Sequence, residues 1–95
     1  MIHSPLKLLV GLGNPDVNLL KTRHNVGFWF VDQFAETISQ QFKLVKKYES
    51  EIIELEDKNL NILKPMNYIN NSGVAIQKFI KQSSINANQI LVIYD

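Results

Sequence analysis

Ninety-five residues, 45% of them hydrophobic and 20% charged, describe one folded domain at most, and a chain this short buries only roughly 60–65% of the surface it exposes when unfolded. A formal charge of +1 removes any strong global field toward nucleic acid or an anionic membrane. The absence of cysteine excludes disulfides, thiol nucleophiles and thiolate zinc sites, and His3 and His24 lie too far apart in sequence to suggest a histidine metal centre.

Met1 to Pro5 is a short leader without pattern, and the apolar run that follows is broken by Lys7, which fits neither a signal peptide nor a membrane span. A cytoplasmic setting without membrane is the expectation. Leu6 to Val10 reads as a strand covered on both faces. It runs into Gly11, Gly13, Asn14 and Pro15, and the loop reaches Thr22, Arg23, His24 and Asn25 at the mouth of a helix. Asn25 is placed as its cap. Val26, Phe30, Phe34 and Ile38 recur every fourth residue, with Val31, Ala35 and Phe42 alongside, and predict the apolar stripe of that helix.

Lys43 to Lys47 reads as a basic, solvated connector. From Tyr48 to Leu55 the rhythm becomes that of a sheet, the turn Glu56–Asn59 follows, and Leu60 to Lys64 completes an antiparallel hairpin that Pro65 ends. Met66 to Gly73 is an asparagine-rich loop in which Asn71 or Ser72 caps a second helix carrying Val74, Ala75, Ile76, Phe79 and Ile80. After a polar turn over Ser83–Gln89, Ile90 to Tyr94 reads as another buried strand. The order predicts a mixed, mostly parallel α/β sheet flanked by helices, with the first and last strands parallel. A chain stopping at Asp95, on the end of such a strand, reads as an incomplete single domain.

If the first and last strands are neighbours, their carboxyl ends bring Asn14 and Asp95 to one edge near His24, and the Asn70 loop can approach the same edge. One base, one carboxylate and two amides make a hydrolytic set. His24 can take a proton from water at neutral pH, Asp95 can hold its other nitrogen, and the amides can bind an oxyanion without titrating. A helix amino terminus disfavours imidazolium by about 0.3–1 kcal/mol, whereas a neighbouring carboxylate moves a pKa by roughly 1–3 units the other way. The carboxylate wins, so His24 is expected to titrate near or slightly above neutrality. Each residue has an ordinary rival role: a capping histidine, asparagines in a turn, a terminal aspartate. Gly11 and Gly13 do not complete a dinucleotide fingerprint, because Pro15 and Asp16 interrupt it.

GLGNP, then TRHNVG, KPMNYINNSG and ILVIYD, in that order, resemble bacterial-type peptidyl-tRNA hydrolase along essentially the whole chain. The resemblance implies hydrolysis of the ester between a peptide and the terminal ribose of tRNA, with His24 as base, Asp95 as its carboxylate partner, and Asn14 and Asn70 as substrate-binding amides. It implies no metal and no cofactor. Leu19 stands on the substrate side where the family usually has tyrosine, and Asp16 where it usually has glycine. The family continues for about as long again, so residues 1–95 correspond to the amino-terminal portion of one α/β domain. A monomer is expected of the full-length family, and association through an exposed strand edge of this piece. Two other readings stay open: a non-catalytic RNA-binding relative of the same fold, and an inactive truncated remnant.

Overall fold

A computed structural model describes residues 6–13, 26–66 and 72–94. Strand β1 spans Leu8–Gly11, helix α1 Val26–Thr37, β2 Lys43–Val45, β3 Ser50–Leu55, β4 Leu60–Pro65, helix α2 Ser72–Ser83 and β5 Ile90–Ile93. Three short 3-10 turns, Lys46–Tyr48, Glu56–Lys58 and Ala87–Gln89, lead into β3, β4 and β5. The strands form one sheet in the order β2-β3-β4-β1-β5. β1 is parallel to β4 on one side and to β5 on the other, while β2–β3 and β3–β4 are antiparallel. The sheet is therefore mixed, with two pairings of each kind.

Alternation along the strands divides the core into two layers. Leu8, Val10, Ile52 and Leu63 point to the face that Phe79 of α2 and Ile85 cover. Leu9, Ile53, Leu55 and Ile62 point to the opposite face, against Val31 and Ala35 of α1. The two helices thus lie on opposite sides of the sheet. β1, flanked by β4 and β5, has all of its apolar side chains buried, which is the physical reason its sequence is apolar almost without a break.

Several expectations are corrected. β1 begins at Leu8, two residues later than the apolar run suggested. Lys43–Lys47 is not a connector: Lys43–Val45 pairs with Ser50–Ile52 as a third antiparallel strand, and Lys46–Tyr48 turns the chain. The burial pattern of β2 leaves Lys43 and Leu44 exposed, so a short edge strand carries no alternation strong enough to read. The buried stripe of α1 is Gly27, Phe28, Val31 and Ala35; Val26 and Phe30 lie on its flank and are about two-fifths exposed. β5 is an edge rather than an interior strand, with Leu91 47% exposed.

The two hairpin turns share one construction. Each 3-10 turn is followed by a residue in the left-handed region, Glu49 at φ 49° and Asn59 at φ 51°, whose N–H donates back to the carbonyl three residues earlier. The buried Ser50 hydroxyl donates to the Tyr48 carbonyl at 2.8 Å. Before β5, Asn86 and Gln89 satisfy each other's backbone N–H groups in a capping box. No helix among the described residues is long and apolar enough to cross a membrane.

Candidate active site at the strand ends

The parallel trio β4-β1-β5 puts three carboxyl ends on one edge of the sheet. In register, Gly11 lies opposite Ile93 and Val10 opposite Leu63. β1 then leaves toward α1 on one face and β4 toward α2 on the other. Adjacent parallel strands whose connections diverge to opposite faces leave a crevice between their ends, the place where open α/β sheets bind ligands.

Two glycines set how closely α1 enters this edge. A β-carbon on Gly27 would run into the backbone carbonyls of Ile93 and Leu12, and one on Gly11 would meet the Gly27 carbonyl and both Val31 methyls, the latter at 2.8 Å. The Leu12 N–H donates to the Ile93 carbonyl at 2.9 Å. The first turn of α1 is consequently seated on the joined ends of β1 and β5, at a separation no larger residue permits.

A second tie joins α1 to β4. The Lys64 ammonium lies 2.8 Å from Asp32 Oδ1 and 3.5 Å from Glu51 Oε1. It also sits 5.1 Å from the centroid of Phe28 and 5.3 Å from that of Phe42. With its side chain only 14% exposed, the cation is held by two carboxylates and two ring faces, so solvent screens the pairing less than at an open surface. Met66, the last described residue of this segment, donates its N–H to the Glu49 carbonyl at 2.8 Å, fixing the exit of β4 against the β2–β3 turn.

The residues read from the sequence as chemical, Asn14, Leu19, His24, Asn70 and Asp95, lie outside the described residues, as do the proposed caps Asn25 and Asn71 and the leader Met1–Pro5. What is described is their points of attachment. Asn14 follows Gly13, His24 precedes Val26 by two positions, Asn70 precedes Ser72 by two, and Asp95 follows Tyr94. Gly13, Val26 and Tyr94 lie at the joined carboxyl ends of β1 and β5, and Met66, four residues before Asn70, follows the end of β4. Gly27 and Lys64 were not singled out by sequence reasoning. The signals available were a glycine in the first turn of an otherwise apolar helix and a lysine inside an apolar strand. Among the described residues no group of three or more His, Asp or Glu side chains could hold a metal ion.

The chain was compared with known proteins. The family model described as peptidyl-tRNA hydrolase matches residues 8–95. The peptidyl-tRNA hydrolase of Vesicomyosocius okutanii is 41% identical over 92 residues, covering 95% of this chain and 48% of that relative. The one from Neisseria meningitidis serogroup C (strain 053442) is 40% identical over 96 residues, covering 99% and 50%. A crystal structure of peptidyl-tRNA hydrolase from Acinetobacter baumannii matches with a TM-score of 0.88 at 36% identity, covering 100% of this chain and 50% of that one. The chain spans about half the length of the relatives it matches.

Proposed function

The chain belongs to the peptidyl-tRNA hydrolase family, and from that premise we propose that it supplies the water-activating half of an enzyme that hydrolyses the ester between peptide and tRNA, acting in the cytoplasm. His24 takes a proton from water, the resulting hydroxide attacks the ester carbonyl, and the tetrahedral oxyanion accepts hydrogen bonds from the side-chain amides of Asn14 and Asn70. Collapse breaks the bond to the ribose oxygen, which recovers the proton from the imidazolium. Asp95 holds the other ring nitrogen and fixes the tautomer. Leu19 contributes apolar contact on the substrate side. An ester leaving group needs no stronger acid, and the chemistry needs no metal, cofactor or covalent intermediate.

The observation that carries this reading is the seat of Gly27 on the Ile93 carbonyl, opposite Gly11. His24 is three residues from that seat and Asp95 two residues beyond Ile93, and an extended chain reaches at most about 3.6 Å per residue. That limit keeps His24 within about 11 Å of the Gly27 seat and Asp95 within about 7 Å of Ile93. Met66, four residues before Asn70, follows β4 on the other side of β1. Turnover requires the further length the relatives have, and without it the open β5 edge, with Leu91 and Tyr94 exposed, favours association of this chain with itself.

The test replaces the matching half of the Vesicomyosocius okutanii relative by residues 1–95 and follows release of tRNA from peptidyl-tRNA. The chimera cleaves the ester, and His24→Ala lowers the rate by at least about 10² with an unchanged far-ultraviolet circular dichroism spectrum. A His24→Ala chimera that cleaves at the parent rate overturns the assignment.

A further inference from the structure

The near-zero formal charge conceals a separation of charge across the sheet. On the α1 face stand Asp32, Glu36 and Glu51, with Lys64 already held between two of these carboxylates. On the α2 face stand Lys43, Lys46, Lys47, Lys78 and Lys81, and α2 itself contains no acidic residue. The lysines of this face are exposed, and its carboxylates are Glu49 and Glu54.

Four of these lysines lie on two neighbouring elements, the Lys46–Tyr48 turn and α2. The Lys46–Tyr48 turn packs on α2 through Tyr48, whose ring meets Phe79 edge-on at 5.2 Å, and Lys47 lies 5.5 Å from the centroid of the Tyr48 ring. Glu49, which closes the turn, takes Lys78 at 3.5 Å through its side chain and the Met66 N–H through its carbonyl. Lys81 follows Lys78 by one helical turn, and both line an open groove on the outer side of α2 with Gly73, Val74 and Gln77. The basic ridge therefore begins where β4 hands the chain toward Asn70 and continues down α2.

We propose that this ridge, Lys46, Lys47, Lys78 and Lys81, binds the phosphates of the tRNA whose acylated end occupies the crevice. The inference rests on the peptidyl-tRNA reading above. An acylated end held between β1 and β4 leaves the rest of the RNA two ways out, over one face or the other. Carboxylates line the α1 face and exposed ammonium groups outnumber carboxylates on the α2 face, so the phosphates run over α2. Lysines suit this role as mobile point charges that contact backbone without reading sequence. Glu49 is the one carboxylate within the ridge and opposes binding.

The test measures binding of a fluorescent RNA hairpin, with the helical length of an acceptor arm and a 3′ CCA end, to the 95-residue chain by anisotropy across a salt series. The chain binds at low salt. K46E/K47E and K78E/K81E each weaken binding tenfold or more, and each flattens the slope of log affinity against log salt by close to one per lysine removed. Lys58→Glu, in the turn at the opposite edge of the sheet, changes net charge by the same amount per residue and leaves both quantities nearly as they were. Glu49→Gln strengthens binding severalfold. No binding by the parent chain at low salt, or equal losses in K58E and in the ridge variants taken per charge, overturns the proposal. Ester cleavage by the chimera separates the two claims. Cleavage that persists while ridge variants bind normally removes the ridge and leaves the enzyme reading intact; ridge-dependent binding with a chimera that never cleaves removes the enzyme reading and leaves a phosphate-binding face.

Discussion

Gly27 and Gly73 each stand near the amino end of a helix, yet their surroundings make opposite demands. Helix propensity alone favours alanine over glycine by about 1 kcal/mol at either position. At Gly73 nothing lies within 4 Å of an added β-carbon, so that preference is realised and Gly73→Ala raises stability by up to about 1 kcal/mol. At Gly27 the β-carbon meets backbone on both β1 and β5, where no side chain can rotate away. Overpacking of this kind costs typically 1–3 kcal/mol, so Gly27→Ala lowers stability by about 2 kcal/mol or more despite the better helix former. Urea denaturation of the two variants checks both signs. A neutral Gly27→Ala would mean that α1 can lift from the strand ends, and the convergence of His24 and Asp95 would lose its support. The sequence carried the glycine but not its reason, because the atoms it must clear come from residues 12 and 93.

At the scale of elements, what could be read ahead followed from burial. β1, the β3–β4 hairpin and α2 have one or two faces in the core, and their periodicities place them to within about two residues, whereas α1 ends at Thr37, short of the Phe42 that its apolar stripe reaches in the sequence. β2 could not be read, since it is three residues long and exposes two of them. In α1, Val31 and Ala35 are buried and Phe34 packs against them as the stripe implies, while Val26 and Phe30 are about two-fifths exposed; their place on the core side is taken by Gly27 and Phe28, of which glycine is a residue that hydrophobicity undervalues. The turns offer a direct check on local energetics. Glu49 occupies the left-handed region at φ 49°, which costs most L-residues roughly 1–2 kcal/mol and asparagine less. Its pairing with Lys78 is half exposed on both sides and contributes little. Glu49→Asn, copying Asn59 in the equivalent turn, raises stability by about 0.5 kcal/mol; a loss of that size instead would assign the Lys78 pair more weight than its exposure allows.

For the molecule as a whole, the open feature is β5. Its apolar sequence reads as that of a buried strand, yet among the described residues β1 is its one neighbour in the sheet, and Leu91 and Tyr94 stand 47% and 68% exposed. An edge with unpaired backbone groups and no charged side chain recruits further strands. At a formal charge of +1 little repulsion opposes this. The expected outcome is association at micromolar concentrations in sedimentation velocity runs, shifted toward the monomer by Leu91→Lys, which places a charge on that edge. Sedimentation of L91K identical to the parent would assign association to another surface.

The claim on which the functional account turns is that His24 and Asp95 meet at the carboxyl edge of β1 and β5. It is tested by following the imidazole of His24 by NMR through a pH titration, in the chain and in Asp95→Asn, both with an amidated carboxyl terminus so that one carboxylate alone differs. A paired carboxylate stabilises the imidazolium, so the expected result is a midpoint that falls clearly in the variant. A midpoint that does not move on removing the carboxylate would contradict it.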